Sequence, residues 1–244
     1  MHRTLVSCAF VLAFFPALAR GEDQAQQQRR AMDHFKRGEE RLKGEKFDEA
    51  AAEFRKAISI HPNFVLAHYG LGQSQMALKR YDEAVQAFGA SRDAFYKLAA
   101  MKVDDRMRAL DTGQRMMDEY RTLTGVEGGR PAGRAVTERL NVLRDLEQMK
   151  KADSGNPEPP AEISLALAGA WFRSGNLEEA EKENKNALQT RPDYGQAHSN
   201  LAVIYMMGGR FADAQAEVAQ AEKSGFTVNP KLKEELDRRT AVTK

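Results

Sequence analysis

Cysteine is all but missing from this chain of 244 residues, since Cys8 stands alone. That excludes a disulfide framework and a cysteine-rich metal site. Aromatic residues make up only 8%, a level that suits a fold packed largely through small side chains. An excess of either charge is lacking as well: 37 Lys and Arg face 35 Asp and Glu, for a formal net charge of +2. Nucleic-acid binding needs a concentrated cationic face, and local clusters such as Lys150-Lys151 read instead as a solvated helix end. Catalytic signatures are absent too. There is no H-E-x-x-H, no Gly-x-Ser-x-Gly and no phosphate loop, and Gly128-Gly129 reads only as a loop.

The first residues carry an address. Met1-His2-Arg3 is positive, Thr4 to Ala19 is uncharged, and Ala17-Leu18-Ala19 is a small-x-small cleavage pattern before Arg20. This succession predicts a secretory signal peptide over residues 1–19 and export to a periplasmic or extracellular space. The uncharged stretch is sixteen residues long and contains Pro16, short of the roughly 20 residues of a membrane-spanning helix. Leu5-Val6-Ser7-Cys8 superficially looks like a lipoprotein box, but its hydrophobic segment follows the cysteine instead of preceding it. Cleavage would remove Cys8, leave a mature chain without thiols, and lower the formal charge to +1 by loss of Arg3. No membrane span is expected after it. Residues 20–30 form a polar leader.

What the chain has in quantity is a repeat. Ala50, flanked by Phe47 and Phe54, returns as Ala84 flanked by Tyr81 and Phe88, a step of 34 residues. The same step links Ala180 to Ala214, Leu177 to Phe211 and Trp171 to Tyr205. Such a period belongs to paired helices stacked as a solenoid. Four windows follow, at 31–64, 65–98, 161–194 and 195–228. The second carries His68-Tyr69-Gly70-Leu71-Gly72 and Ala84-x3-Phe88, the third Leu167, Ala168, Trp171, Gly175, Ala180 and Pro192. On these residues the chain resembles the tetratricopeptide repeat (TPR) family. The expected fold class is all-α, an α-solenoid of tetratricopeptide-type helix pairs with a helical insertion and a C-terminal capping helix. The expected segments are pairs at 31–98 and 161–228, a helical hairpin or insert at 99–160, and a cap and tail at 229–244.

Physical reasons attach to the recurring positions. Gly38, Gly72, Ala168 and Ala202 let paired helices approach, and Ala50, Ala84, Ala180 and Ala214 receive a neighbour's aromatic; larger residues there would overpack by about 1–3 kcal/mol. Asp48-Glu49, Asp82-Glu83 and Glu178-Glu179 place negative charge in the first turn of the second helices, where the dipole favours it. Pro62 and Pro192 end those helices. Tyr96 stands where a closing proline belongs, predicting a helix that runs past residue 98. Asn184 and Val218 replace the phenylalanine of the first two windows. Helical spacing also marks 104–123, through Met107, Leu110, Met117 and Tyr120, and 134–151, through Val136, Leu140, Leu143 and Leu146. These two segments read as a degenerate repeat or an inserted arm. A charged helix at roughly 230–239 reads as the polar cap that a solenoid end requires.

His34, His68 and His198 each fall at the fourth position of a window and read as residues packed between helices, with no metal or catalytic role. No catalytic residue, metal site or cofactor is expected. In the family, first-helix positions 2, 5, 9, 12 and 13 line a concave groove. The resemblance therefore implies a partner-binding groove containing Phe35, Lys43, Tyr69, Gln73, Met76, Phe172, Arg173, Val203, Met206 and Met207. That surface would be apolar and Met-rich, suited to an amphipathic helix or an extended apolar peptide. The functional expectation is an exported, non-catalytic scaffold for a protein or peptide partner. The alternatives are a self-associating structural protein of the cell envelope, which makes a second copy the partner, or a regulatory subunit of an envelope enzyme.

Overall fold

The computed structural model describes residues 15–101, 137–138, 140–142, 144–146 and 158–242. The described residues form helices and no strands: α1 (Phe15–Lys43), α2 (Phe47–Ile60), α3 (Val65–Ala77), α4 (Tyr81–Ala99), α5 (Ala161–Ser174), α6 (Leu177–Thr190), α7 (Gly195–Met207), α8 (Phe211–Lys223) and α9 (Pro230–Val242). Residues 137–138, 140–142 and 144–146 are helical as well. Of the expected 104–123 segment nothing falls within the described residues. The position after Ala19, where cleavage is expected, lies within α1. Among the described residues no helix is long and apolar enough to cross a membrane.

Short turns fold α1 on α2, α3 on α4, α5 on α6 and α7 on α8. The buried face of α2 is Ala50, Ala51, Phe54 and Ala57, a spacing that keeps apolar side chains on one stripe of a 3.6-residue helix. Acidic residues occupy the first turns of α2, α4 and α6 as expected. At α6 the side chain of Asn176 also accepts a bond from the Glu179 N–H at 3.1 Å, an N-cap that satisfies an otherwise unpaired donor. Each turn between paired helices has one left-handed residue: Glu45 (φ 58°), Lys79 (φ 60°), Gly175 (φ 88°) and Gly209 (φ 73°). Glycine takes that conformation without steric cost; Glu45 and Lys79 do not. The repeat legible in the aromatics is thus also a repeat of backbone conformation.

The close approach assigned to Gly38 and Gly72 is present. A Cβ on Gly38 would lie 2.7 Å from the Phe54 ring, and one on Gly72 would lie 2.6 Å from the Phe88 ring. Gly70 does the same from the other side, at 2.6 Å from Phe54. The Phe54 ring is therefore held between two glycines on successive first helices. That ring is 0% exposed.

Despite the intervening insert, α4 packs directly on α5. Arg92 on α4 donates to Glu183 on α6 at 2.5 Å, and Glu183 is only 2% exposed. One core cluster runs through α1 to α5 and takes in Val142 and Leu146 of the insert, while a second runs through α6 to α9; Trp171 packs against both. Val228, Leu232 and Leu236 seal the far end against α8, and the outer residues of α9 are charged. The terminal helix therefore extends to Val242, a few residues beyond its expected end.

Candidate functional site

A cavity of about 430 Å³ opens along the first helices of successive pairs. Its walls come from α3 (Tyr69, Gln73, Met76), α5 (Leu165, Gly169, Phe172, Arg173) and α7 (Gln196, Asn200, Val203), with Glu138 of the insert closing one side. Six of the ten expected groove residues meet there: Tyr69, Gln73, Met76, Phe172, Arg173 and Val203. Helical periodicity brings them together, because each sits on the same stripe of its helix and the helices stack in parallel register.

Four expected residues lie elsewhere. Phe35 is 3% exposed and packs its ring 5.0 Å from Phe64 and 5.8 Å from Phe54, so it is core and not groove. Lys43 is the exposed last residue of α1. Met206 is half-buried against the second core cluster. Met207 is 57% exposed at the end of α7, outside the cavity lining. Met76 is the only methionine among the cavity's lining residues. The wall is an apolar floor edged by amides, not a methionine stripe.

The departure at Asn184 explains part of the opening. Where the earlier windows insert Phe54 and Phe88, Asn184 leaves ring-sized space and brings a polar group. It is 1% exposed, donates to the Ala180 carbonyl at 2.8 Å and accepts from Asn200 at 3.1 Å. Gly169 adds to the space: a Cβ built there would meet nothing within 4 Å.

At the other end of the cavity the insert is seated on the expected concave face. The Tyr69 hydroxyl donates to Glu138 Oε2 at 3.4 Å, and Asn141 Nδ2 donates to Glu162 Oε1 at 2.8 Å. Glu162 occupies position 2 of its window. Its Oε1 also accepts from Arg191 at 2.7 Å, whereas its buried Oε2 has no partner. Leaving a buried acceptor unpaired costs about 1–3 kcal/mol. Burial, with Glu138, Tyr194 and Glu162 nearby, pushes the Tyr69 phenol well above its ordinary range. Burial and the Glu162 carboxylate raise Asp145 in the same way. The cavity lining thus combines two acidic residues, Glu138 and Glu162, with Arg173 and the amides Gln73, Gln196 and Asn200.

Sequence reasoning placed Tyr69 on an accessible groove wall, yet it is 1% exposed. The contact with Glu138 spans 69 residues, too far for any local pattern to reveal. The histidines turn out to be connectors. His68 and His198 bond the carbonyls of Pro62 and Pro192, each at 2.9 Å. His34 and His198 bond Glu53 and Glu217 of the paired helix at 2.7 and 2.6 Å. Among the described residues no group of three or more His, Cys, Asp or Glu side chains is placed to hold a metal.

Comparison with known proteins agrees with the repeat geometry. The tetratricopeptide repeat model matches residues 35–95 and 165–225. The Hsp70-Hsp90 organising protein of Plasmodium falciparum (isolate 3D7) is 27% identical over 169 residues, 64% of this chain and 29% of the relative. The TPR repeat-containing thioredoxin TTL4 of Arabidopsis thaliana is 37% identical over 84 residues, 34% of this chain and 12% of the relative. The chain thus spans less than a third of the length of either relative. Among solved structures, PilW, a widely conserved type IV pilus biogenesis factor, aligns with 16% identity and a TM-score of 0.42, covering 86% of each chain.

Proposed function

Because this chain belongs to the tetratricopeptide repeat family, we propose that it is a non-catalytic scaffold that holds a segment of a protein partner on its concave face. The observation that carries the reading is the cavity in which Tyr69, Gln73, Met76, Phe172, Arg173 and Val203 converge from three helices. A pocket with an apolar floor and a few amides offers contact area together with hydrogen bonds for a peptide backbone. The scaffold acts outside the cytoplasm, a proposal supported by the positive, uncharged and Ala-x-Ala succession before Arg20. Terminal sequencing of natively expressed protein should begin at Arg20; an intact Met1 would refute export by this route.

Gly169 provides the test of the groove. Gly169→Leu fills the cavity from a position where a Cβ meets nothing, and removing a mid-helix glycine favours the helix by up to about 1 kcal/mol. Affinity capture from the native cells, run with both chains in parallel, should lose specific partners from the variant while its melting temperature stays the same or rises. Undiminished capture by a stable Gly169→Leu chain would place the binding surface elsewhere.

A further inference from the structure

Glu138 and Asn141 are joined to the concave face by bonds that a docked ligand would make. Glu138, Val142 and Leu146 are spaced four apart and Asn141 and Asp145 lie beside them, so all five share one helical face. Glu138 reaches Tyr69, Asn141 reaches Glu162, and Val142 (0% exposed) and Leu146 (7%) join the core cluster of the first pair. Thr137 and Arg144, seven apart, are exposed on the opposite side. We propose that the concave face between α3 and α5 is a receptor for an amphipathic helix, that the helical face of Glu138, Asn141, Val142 and Leu146 is its built-in occupant, and that the external partner is a helix of the same chemistry. Such a helix has aliphatic residues four apart, with an amide beside them that donates to Glu162. The inference rests on the groove reading above and names the partner class for it.

The fit of the built-in segment leaves room for competition. Glu162 Oε2 stays buried without a donor while the segment is docked, so a partner that supplies a second donor makes a bond the segment does not. A tethered occupant also competes as an intramolecular ligand, at an effective concentration that a free helix must exceed. An external helix therefore binds weakly to the resting chain and more strongly once the segment is loosened.

The test uses the full chain and a fluorescent, end-capped peptide of residues 137–146. Wild type is compared with Asn141→Ala/Val142→Glu, which removes the bond to Glu162 and places a charge in the core. The loosened chain should bind the peptide at least about tenfold more tightly than wild type, by anisotropy, because the tethered competitor is gone. Equal affinities, or no binding by a variant of unchanged helix content, would overturn the proposal. Should the variant lose helix content, the answer comes from 15N-labelled wild type with several-millimolar unlabelled peptide. Displacement of the Asn141 side-chain and backbone signals supports the proposal, and unmoved signals refute it. If the peptide fails while Gly169→Leu still abolishes capture, the groove reading stands and this inference alone falls.

Discussion

Asn141 Nδ2 and Glu162 Oε1 meet at 2.8 Å and tie the insert to the first turn of α5. Glu162 is a buried carboxylate, and the same oxygen accepts from Arg191 at 2.7 Å. Three parts of the chain, the insert, the first turn of α5 and the residue that ends α6, are thereby joined at one atom.

Removing one member of that arrangement leaves an uncompensated buried charge. Arg191→Met should destabilise the chain by about 3–5 kcal/mol, and Arg191→Met/Glu162→Met should recover most of the loss, since replacing a buried pair with apolar groups is often neutral. Urea unfolding of the three chains decides the matter. Equal losses for the single and double variants would show that Glu162 is not held as a charge.

The clamp on Phe54 makes Gly70 intolerant of even one methyl. Gly70→Ala places a Cβ about where the ring edge lies, 2.6 Å away, and should cost about 1–3 kcal/mol despite the better helix propensity of alanine. Adding Phe54→Leu should make Gly70→Ala less harmful than it is alone. Additive effects in that double-mutant cycle would mean the clamp is not the cause.

Backbone conformation gives an opposed pair of outcomes. Lys79 holds φ at 60° where Gly209 stands in the last pair. The left-handed region costs a residue with a side chain about 1–2 kcal/mol, and glycine loses part of that gain to chain entropy. Lys79→Gly should therefore range from neutral to about 1 kcal/mol stabilising, and Gly209→Lys should destabilise by about 1 kcal/mol. Thermal melts check both signs.

Acidification should weaken the fold in two stages. Burial lowers His61 and His68 from their ordinary value of 6.5; their neutral forms suit the fold, so this stability is complete above 6.5 and declines as pH falls below it. For Glu53 burial acts upward, but hydrogen bonds from Lys56, His34 and Arg37 outweigh it and hold the carboxyl at about 2, below its ordinary 4.5. That contribution is complete above 4.5 and disappears as pH falls toward 2. Glu53→Gln should flatten the second stage, and His61→Gln/His68→Gln the first. A melting temperature constant from pH 7 to 3 in the parent chain would contradict both.

Which helices pair, and where they turn, was readable from residue types alone. Ala50 recurs in every window, and Phe54 and Pro62 in one other window each, because the local geometry of a helix hairpin repeats, and a 34-residue step records local geometry directly. The cavity lining was partly readable: a helical stripe identifies Gln73, Phe172 and Val203, but the same stripe contains Phe35, whose ring packs against Phe54 and Phe64. Periodicity gives the direction of a side chain from its own helix and not the presence of another helix above it. The turn at 43–46 was readable, but the left-handed conformation of Glu45 and Lys79 was not, since neither residue type announces it.

The amino-acid sequence by itself determined the all-helical class, the repeat, the turns at 43–46 and at Gly175, and the polar outer face of the cap, because each depends on neighbours within one repeat. Only the tertiary structure decided that α4 meets α5 across the insert, that Asn184 lines the cavity, and that Glu138 and Asn141 return to reach Tyr69 and Glu162. Those contacts join positions far apart along the chain, and the bonds that make them exist only when the stacked helices hold both partners at hydrogen-bonding distance.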